Sequence, residues 1–289
     1  MTDNQRGSLF MVLSMAGFAV EDMFIKSAAR GLPLGQVLLV MGLCGALWFA
    51  GAARRAGDLA LPPALWSRML GIRSGFELVG RLFYALAIAL TPLSMASAIL
   101  QATPLVVVLG AALIFGEKVG PWRWALTVMG FAGVLVILRP GLEGFDALSL
   151  LAVIGLLGFA GRDLATRAAP PTLSTSQLGV AGFLVLAASG AVILAFSAAP
   201  VLPTALQAAQ IGGATVFGVL GYSFLTRAMR TGEVSAVTPF RYTRLLFAMG
   251  LGMVVFGERP DALTLLGAGM IVLCGVLVLS AGHPARPDA

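Results

Sequence analysis

Ten stretches of nearly unbroken apolar sequence follow one another along this chain, at about 8–29, 34–52, 68–90, 92–114, 121–138, 147–168, 175–197, 206–228, 233–255 and 261–281. A helix rises 1.5 Å per residue and needs roughly 20 apolar residues to cross the hydrocarbon of a bilayer. Each stretch is therefore about one crossing long. The breaks fall where chain breakers cluster, at Gly31-Leu32-Pro33, Leu61-Pro62-Pro63, Thr91-Pro92, Gly120-Pro121, Arg139-Pro140-Gly141, Pro170-Pro171, Pro200 to Pro203 and Arg259-Pro260. The composition agrees: 58% of the residues are hydrophobic and only 11% charged, where a soluble domain carries about 25%. Ten spans in 289 residues leave short loops and two tails. A phosphate-binding G-x-x-x-x-G-K-[ST] loop is missing from the sequence, which excludes an ATP-driven module of that type.

The formal net charge of +6 comes from basic residues scattered at span ends, not from one run, so nucleic acid is not an expected partner. Cys44 and Cys274 sit in apolar stretches and read as packing residues, and the one histidine, His283, lies in the polar tail. A cleavable leader is the competing reading of the N-terminus, with Arg6, an apolar run from Leu9 and a small-residue end at Ser27-Ala28-Ala29. Glu21 and Asp22 interrupt that run, so it is read as the first span.

Shifting the chain along itself by 141 residues, without a gap, superimposes its two halves. Gly17-Phe18-Ala19 falls on Gly158-Phe159-Ala160, Asp22 on Asp163, Lys26 on Arg167 and Gln36 on Gln177. Gly80 falls on Gly221, Ser94 on Ser235, and Phe115-Gly116-Glu117 on Phe256-Gly257-Glu258. The expected organisation is an all-α polytopic membrane protein of two five-helix repeats, 1–141 and 142–289. Five is odd, so the second copy enters the membrane in the opposite sense. Inverted repeats of this kind place a substrate site near the midplane between the halves. With the N-terminus in the cytoplasm, the inner side holds Arg6, Arg54, Arg55, Arg68, Lys118, Arg123, Arg167, Arg227, Arg230 and Arg286. The outer side keeps only Lys26, Arg30, Arg139 and Arg259. The positive-inside rule then puts both termini in the cytoplasm of an inner-membrane protein.

Ionisable residues at membrane depth are the strongest functional signal. They are Glu21 and Asp22 in helix 1, Arg73, Glu77 and Arg81 in helix 3, Arg162 and Asp163 in helix 6, and Arg241 and Arg244 in helix 9. Each costs about 2.5–3.5 kcal/mol at the bilayer centre if it faces lipid, so they face one another or a wet cavity. Arg73, Glu77 and Arg81 recur every fourth residue and form one stripe, which Tyr84 continues. Asp22 and Asp163 are equivalent under the repeat and lean towards a structural pair. Arg73, Glu77, Arg81, Arg241 and Arg244 have uncharged repeat mates and are the better substrate candidates. Ser94, Ser97 and Gln101 line one face of helix 4, and their mates Ser235, Thr238 and Tyr242 line the same face of helix 9. Pro104 and Pro239 lie within those two helices, where a proline removes a backbone bond and favours a kink. Tyr84, Tyr222 and Tyr242 fall deep enough to be cavity residues, whereas Trp48, Trp66, Trp122 and Trp124 sit near span ends as interfacial anchors.

The duplicated unit, each copy ending in Phe-Gly-Glu followed by Lys118 or Arg259, resembles the drug/metabolite transporter superfamily, and more narrowly its ten-helix EamA-type members. Within those it looks most like the YddG-like amino-acid exporters, from which the arginine density of helices 3 and 9 departs. The resemblance implies a cavity lined by helices 1, 3, 4, 6, 8 and 9, and a secondary exporter of amino acids or related metabolites working by alternating access.

In that reading Arg81, Arg241 or Arg244 meets a substrate carboxylate, and Glu21 or Glu77 meets its ammonium group. Tyr84, Ser97, Gln101, Arg162, Tyr222, Thr238 and Tyr242 complete the expected cavity set. Cofactors and metals are not expected. The expected partners are a small-molecule substrate and the lipid bilayer, with a single chain sufficient for function. No H-E-x-x-H or G-x-S-x-G motif occurs in the sequence, so an enzyme is the weaker reading, and mixed charge disfavours a channel, whose selectivity rings are of one sign.

Overall fold

The computed structural model describes residues 1–90, 99–138, 148–256 and 261–280. Among these the chain is helical throughout, with no strand. The helices are α1 (Asp3–Ala28), α2 (Leu34–Arg55), α3 (Arg68–Leu90), α4 (Thr103–Phe115), α5 (Pro121–Leu138), α6 (Ser149–Ala168), α7 (Thr175–Ala195) and α8 (Ala205–Arg230). Next comes α9, built of three consecutive pieces (Val234–Val237, a 3-10 segment Thr238–Tyr242, and Thr243–Phe256), and then α10 (Ala262–Ser280). Capping boxes start three of them: Thr2, Ser174 and Thr204 each accept from the backbone of a glutamine three residues on (Gln5, Gln177, Gln207), whose side chain bonds back.

By length and composition α1, α2, α7 and α8 suffice to cross a membrane. Two physical reasons keep others from matching that simple pattern. The charges of the Arg73, Glu77, Arg81 stripe interrupt α3, and Arg162 and Asp163 interrupt α6. The fourth and ninth spans are broken in their middles. The chain turns at Gln101–Ala102 and restarts α4 with Pro104 in its first turn. In α9 the 3-10 piece surrounds Pro239, and Thr243 donates its hydroxyl to the Phe240 carbonyl at 2.7 Å. Both expected proline effects are thus visible as breaks in helix geometry.

The largest helix contacts pair α2 with α7, α1 with α8, α3 with α6, and α5 with α10. Exchanging the halves maps the α1–α8 contact onto α6–α3 and each of the other two onto itself. The glycines explain how closely these pairs approach. A Cβ on Gly17 meets the Cα of Gly221 at 3.0 Å, and one on Gly158 meets the Cα of Gly80 at 2.6 Å. These two crossings are the same crossing in the two repeats, and small residues there let backbones touch. Gln36 and Gln177 are a second repeated device. Gln36 on α2 donates to the Val201 carbonyl at 2.6 Å and accepts from the Val201 N–H at 2.9 Å. Gln177 on α7 donates to the Leu59 carbonyl at 2.9 Å. Each glutamine holds the loop leaving its partner helix.

The Phe-Gly-Glu motif also acquires a physical role. Gly116 ends α4 at φ 65°, a conformation that glycine adopts without strain. Glu117 then accepts the N–H groups of Val234 and Ser235 at 2.8 and 3.0 Å, satisfying orphan donors where the ninth span begins. Its copy at Phe256-Gly257-Glu258 reaches outside the described residues.

The polarity of the bundle is that of a membrane protein. Leu47 (73%), Leu113 (76%) and Val254 (86%) are exposed, whereas Arg73 and Glu77 are 1% and 0% exposed. Trp48, Trp66 and Trp122 are exposed as well, as interfacial anchors are.

Candidate functional site

The buried charges gather between α1, α3, α6 and α9. Glu77, on the stripe of α3, lies 3.4 Å from Arg73, 3.1 Å from Arg81 and 3.6 Å from Arg162. Arg73 also donates to Thr166 at 2.9 Å and to the hydroxyl of Tyr222, which itself donates to Glu77 at 3.4 Å. Arg162 pairs with its neighbour Asp163 at 2.8 Å. From α9, Arg241 binds Asp163 and Arg244 binds Asp22. The expected structural role of the two repeat-equivalent aspartates therefore takes a particular form. They do not touch each other; each is held by one of two arginines three residues apart on the same helix. Planar guanidinium groups suit such shared carboxylates, and three also sit over aromatic faces, Arg73 over Tyr222 at 5.8 Å, Arg162 over Phe159 at 5.3 Å and Arg244 over Phe18 at 5.6 Å.

One face of this network lines a cavity of about 240 Å³. Its walls include Met15, Phe18, Glu21, Asp22 and Ile25 of α1, Leu34 and Leu38 of α2, Arg81 and Tyr84 of α3, and Leu100, Gln101 and Thr103 at the break before α4. Phe159 and Arg162 of α6, Leu186 and Ile193 of α7, and Arg241 and Arg244 of α9 complete them. Among the described residues four arginines thus share the wall with two carboxylates. The cavity lies in the half of the bundle where α1 ends and α2 begins.

The opposite half is closed. Met11, Leu225, Met229, Val237 and Phe240 pack there as part of one apolar cluster, whose Met15 also borders the cavity. Beyond it, Arg123 pairs with Glu233 at 2.5 Å and donates to Ser235 at 3.0 Å. Asn4 accepts the Glu233 N–H at 2.8 Å, which ties the start of α1 to the start of α9.

Of the residues singled out from sequence, Glu21, Arg81, Tyr84, Gln101, Arg162, Arg241 and Arg244 are all in the wall. Glu77 is immediately behind it, fully buried under three arginines. Tyr222 lies away from the wall, packed between Phe49 and Phe183 with its hydroxyl on Arg73. Tyr242 points to α5, where Gly130 leaves room for its ring and the Thr127 carbonyl accepts its hydroxyl at 3.2 Å. Thr238 is fully buried outside the wall, and Ser97 is outside the described residues. Among the described residues no wall residue comes from α8, whereas α2 and α7 contribute leucine and isoleucine. Sequence reading missed those because nothing distinguishes a cavity-facing leucine from a lipid-facing one. Among the described residues no cluster of His, Cys, Asp or Glu is arranged to hold a metal ion.

The fold and several characterised proteins place the chain in a wider group. A crystallised protein 19% identical in sequence superimposes with a TM-score of 0.79 over 95% of this chain and 98% of its own, which shows a shared fold. The pseudopaline exporter of Pseudomonas aeruginosa is 30% identical over 95% of both chains. The riboflavin transporter of Vibrio cholerae is 27% identical, covering 93% of this chain and 91% of its own. An S-adenosylmethionine uptake transporter of Rickettsia felis is 26% identical over 68% of this chain and 65% of its own. The model of the EamA-like transporter family matches twice, at residues 5–139 and 146–281. By that double match across nearly its whole length, the chain belongs to the EamA-like transporter family, a membrane transporter built of two repeated halves.

Proposed function

We propose that this transporter moves amino acids, or small metabolites carrying the same pair of carboxylate and amino groups, out of the cell by alternating access. The observation that carries this reading is the charge pattern of the cavity wall. Arg81, Arg241 and Arg244 offer donors to a carboxylate, and Glu21 offers an acceptor to an ammonium group. Arg81 adds a particular feature: its buried Nε has no hydrogen-bond partner among the described residues. A cavity of about 240 Å³ lies just below the roughly 300–1,000 Å³ of sites for drug-sized ligands, which suits a small metabolite. Relatives move pseudopaline, riboflavin or S-adenosylmethionine, so family membership alone leaves the cargo open and the wall chemistry selects among cargoes.

The topology proposed with this function has ten crossings, inverted halves meeting near residue 141, and both termini in the cytoplasm of the inner membrane. It rests on the loop charges and on the match of α1–α8 to α6–α3. The cavity then opens towards the outside, and the Met11 to Phe240 cluster with the Arg123–Glu233 clasp forms the closed cytoplasmic side. We read the chain as a carrier sufficient as a single chain, without cofactor or catalytic turnover. The arginine excess of the wall favours a second reading, a metabolite with more than one carboxylate.

Binding to the purified protein tests the pairing of groups. L-Phenylalanine or L-leucine is expected to bind, while the N-acetyl derivative and the methyl ester of each lose at least tenfold, because each gives up one charge-assisted hydrogen bond to the wall. A dicarboxylic amino acid that binds better than either favours the second reading. Equal binding of an amino acid and its N-acetyl derivative contradicts the proposed role for Glu21.

A further inference from the structure

Among the carboxylates of this charge cluster, Glu21 stands apart. Asp22, Glu77 and Asp163 each have at least one arginine within ion-pair distance. Glu21 has none, and it makes no hydrogen bond among the described residues. It is only 9% exposed, and its side chain lines the cavity. Across α8 its carboxyl carbon is 3.2 Å from where a Cβ on Gly218 would stand, and the Met41 methyl from α2 crowds the same point. Neither neighbour offers a donor. The charged groups nearest to it are Asp22 on its own helix, Arg81 on α3 and Arg244 on α9. Both arginines are engaged, Arg81 by Glu77 and Arg244 by Asp22. The remaining ionisable groups of the wall are Tyr84 on α3, Arg162 on α6 and Arg241 on α9, and both of these arginines are held by Asp163.

A carboxylate at membrane depth that has no cation of its own is stable only when neutral or when a cation arrives. We infer that Glu21 is the exchange site that couples transport to protons: it carries a proton when the cavity is empty of substrate and releases it to water when the substrate's ammonium group binds. This deepens the reading of the cavity as an amino-acid site and rests on it. The step balances simply. The ammonium group keeps its own three protons. The Glu21 O–H bond breaks, the proton passes to water in the cavity, and the carboxylate then pairs with the ammonium. When the substrate leaves on the other side, water there supplies the proton that restores the neutral acid. One turnover exports one zwitterion and imports one proton, so an inward proton gradient drives export and the cycle carries one positive charge inwards. Glu77 cannot substitute, because three arginines already surround it and it lies behind the wall.

The test measures protons released when L-phenylalanine or L-leucine binds the purified protein, by titration calorimetry in buffers of differing ionisation enthalpy across pH 5–9. About one proton per bound amino acid is expected over part of that range, and none for Glu21→Gln, which is permanently neutral. Glu21→Asp keeps the carboxylate and is expected to keep the release, a control against loss through misfolding. Binding by the wild-type protein with no proton exchange at any pH overturns the inference while leaving the amino-acid reading intact. Proton release that persists in a monodisperse Glu21→Gln variant also overturns it. Absence of binding by either amino acid in the wild-type protein overturns the functional reading itself, and this inference with it.

Discussion

Replacing Glu77 with alanine is expected to destabilise the folded protein by about 3–5 kcal/mol, the usual cost of removing one partner from a buried ion cluster. Glu77 is fully buried, and three guanidinium groups lie within 3.6 Å of it. They are not equally dependent on it. Arg162 retains Asp163, and the Arg81 side chain is 21% exposed to the cavity. Arg73 is left with the neutral hydroxyls of Thr166 and Tyr222 at 1% exposure. The orphaned charge is therefore that of Arg73, and its removal together with Glu77 is the informative control. The double variant Glu77→Ala with Arg73→Met is expected to recover much of the loss, because an apolar pair replaces an ion pair at little net cost. Thermal unfolding midpoints of the single and double variants in one detergent read this out. A Glu77→Ala midpoint equal to that of the native protein contradicts the assignment of Glu77 as the charge that holds α3 to α6.

Arg81→Ala is expected to leave the fold largely intact and to weaken transport roughly 30- to 150-fold at subsaturating substrate, which corresponds to about 2–3 kcal/mol for a lost charge-assisted bond. The two effects separate because Arg81 is the outermost of the three arginines on Glu77. Its loss still leaves Arg73 and Arg162 to neutralise the carboxylate. It removes from the wall, however, a guanidinium group whose side chain is 21% exposed. Arg81→Lys keeps a charge but not the planar fork and is expected to fall between. Tyr242→Phe serves as the contrast, since its hydroxyl bonds the Thr127 carbonyl away from the cavity and its loss leaves transport unchanged. Initial transport rates in liposomes decide the matter. Native rates for Arg81→Ala, at equal incorporation, contradict a cavity that recognises a carboxylate through this residue.

Much of the architecture is legible in the sequence because it is written twice. The shift by 141 residues aligns Gly17 with Gly158 and Gly80 with Gly221, and those four glycines form the two matching helix crossings. The match of Gln36 with Gln177 marks a pair of loop anchors, although no spacing rule reveals which carbonyls they bind. The four-residue period of Arg73, Glu77 and Arg81 gives their contact directly, since residues i and i+4 face one another on a helix. Partners on other helices are a different matter. Asp22 and Arg244 are 222 positions apart, and only the bundle brings them together. The tyrosines show the same limit from another side. Depth in the membrane suggested that Tyr222 and Tyr242 face the cavity, yet helix rotation turns both away, towards Arg73 and Thr127. Rotation is set by which small residues face which neighbours, here Gly182 beneath the Tyr222 hydroxyl and Gly130 beneath the Tyr242 ring. Glu21 was legible as an intramembrane acid, but its lack of a cation partner is a property of the assembled cluster.

The central claim is that the cavity carries amino acids from one side of the membrane to the other, and counterflow tests it most directly. Sealed liposomes containing the purified protein are preloaded with a millimolar panel of unlabelled amino acids, one at a time, and diluted into trace labelled phenylalanine or leucine. Transient accumulation of label, dependent on the unlabelled amino acid inside and lost in Arg81→Ala, is the predicted result. No accumulation with any amino acid, in vesicles shown to be sealed and to contain folded protein, contradicts the claim and transfers the cavity to another class of metabolite.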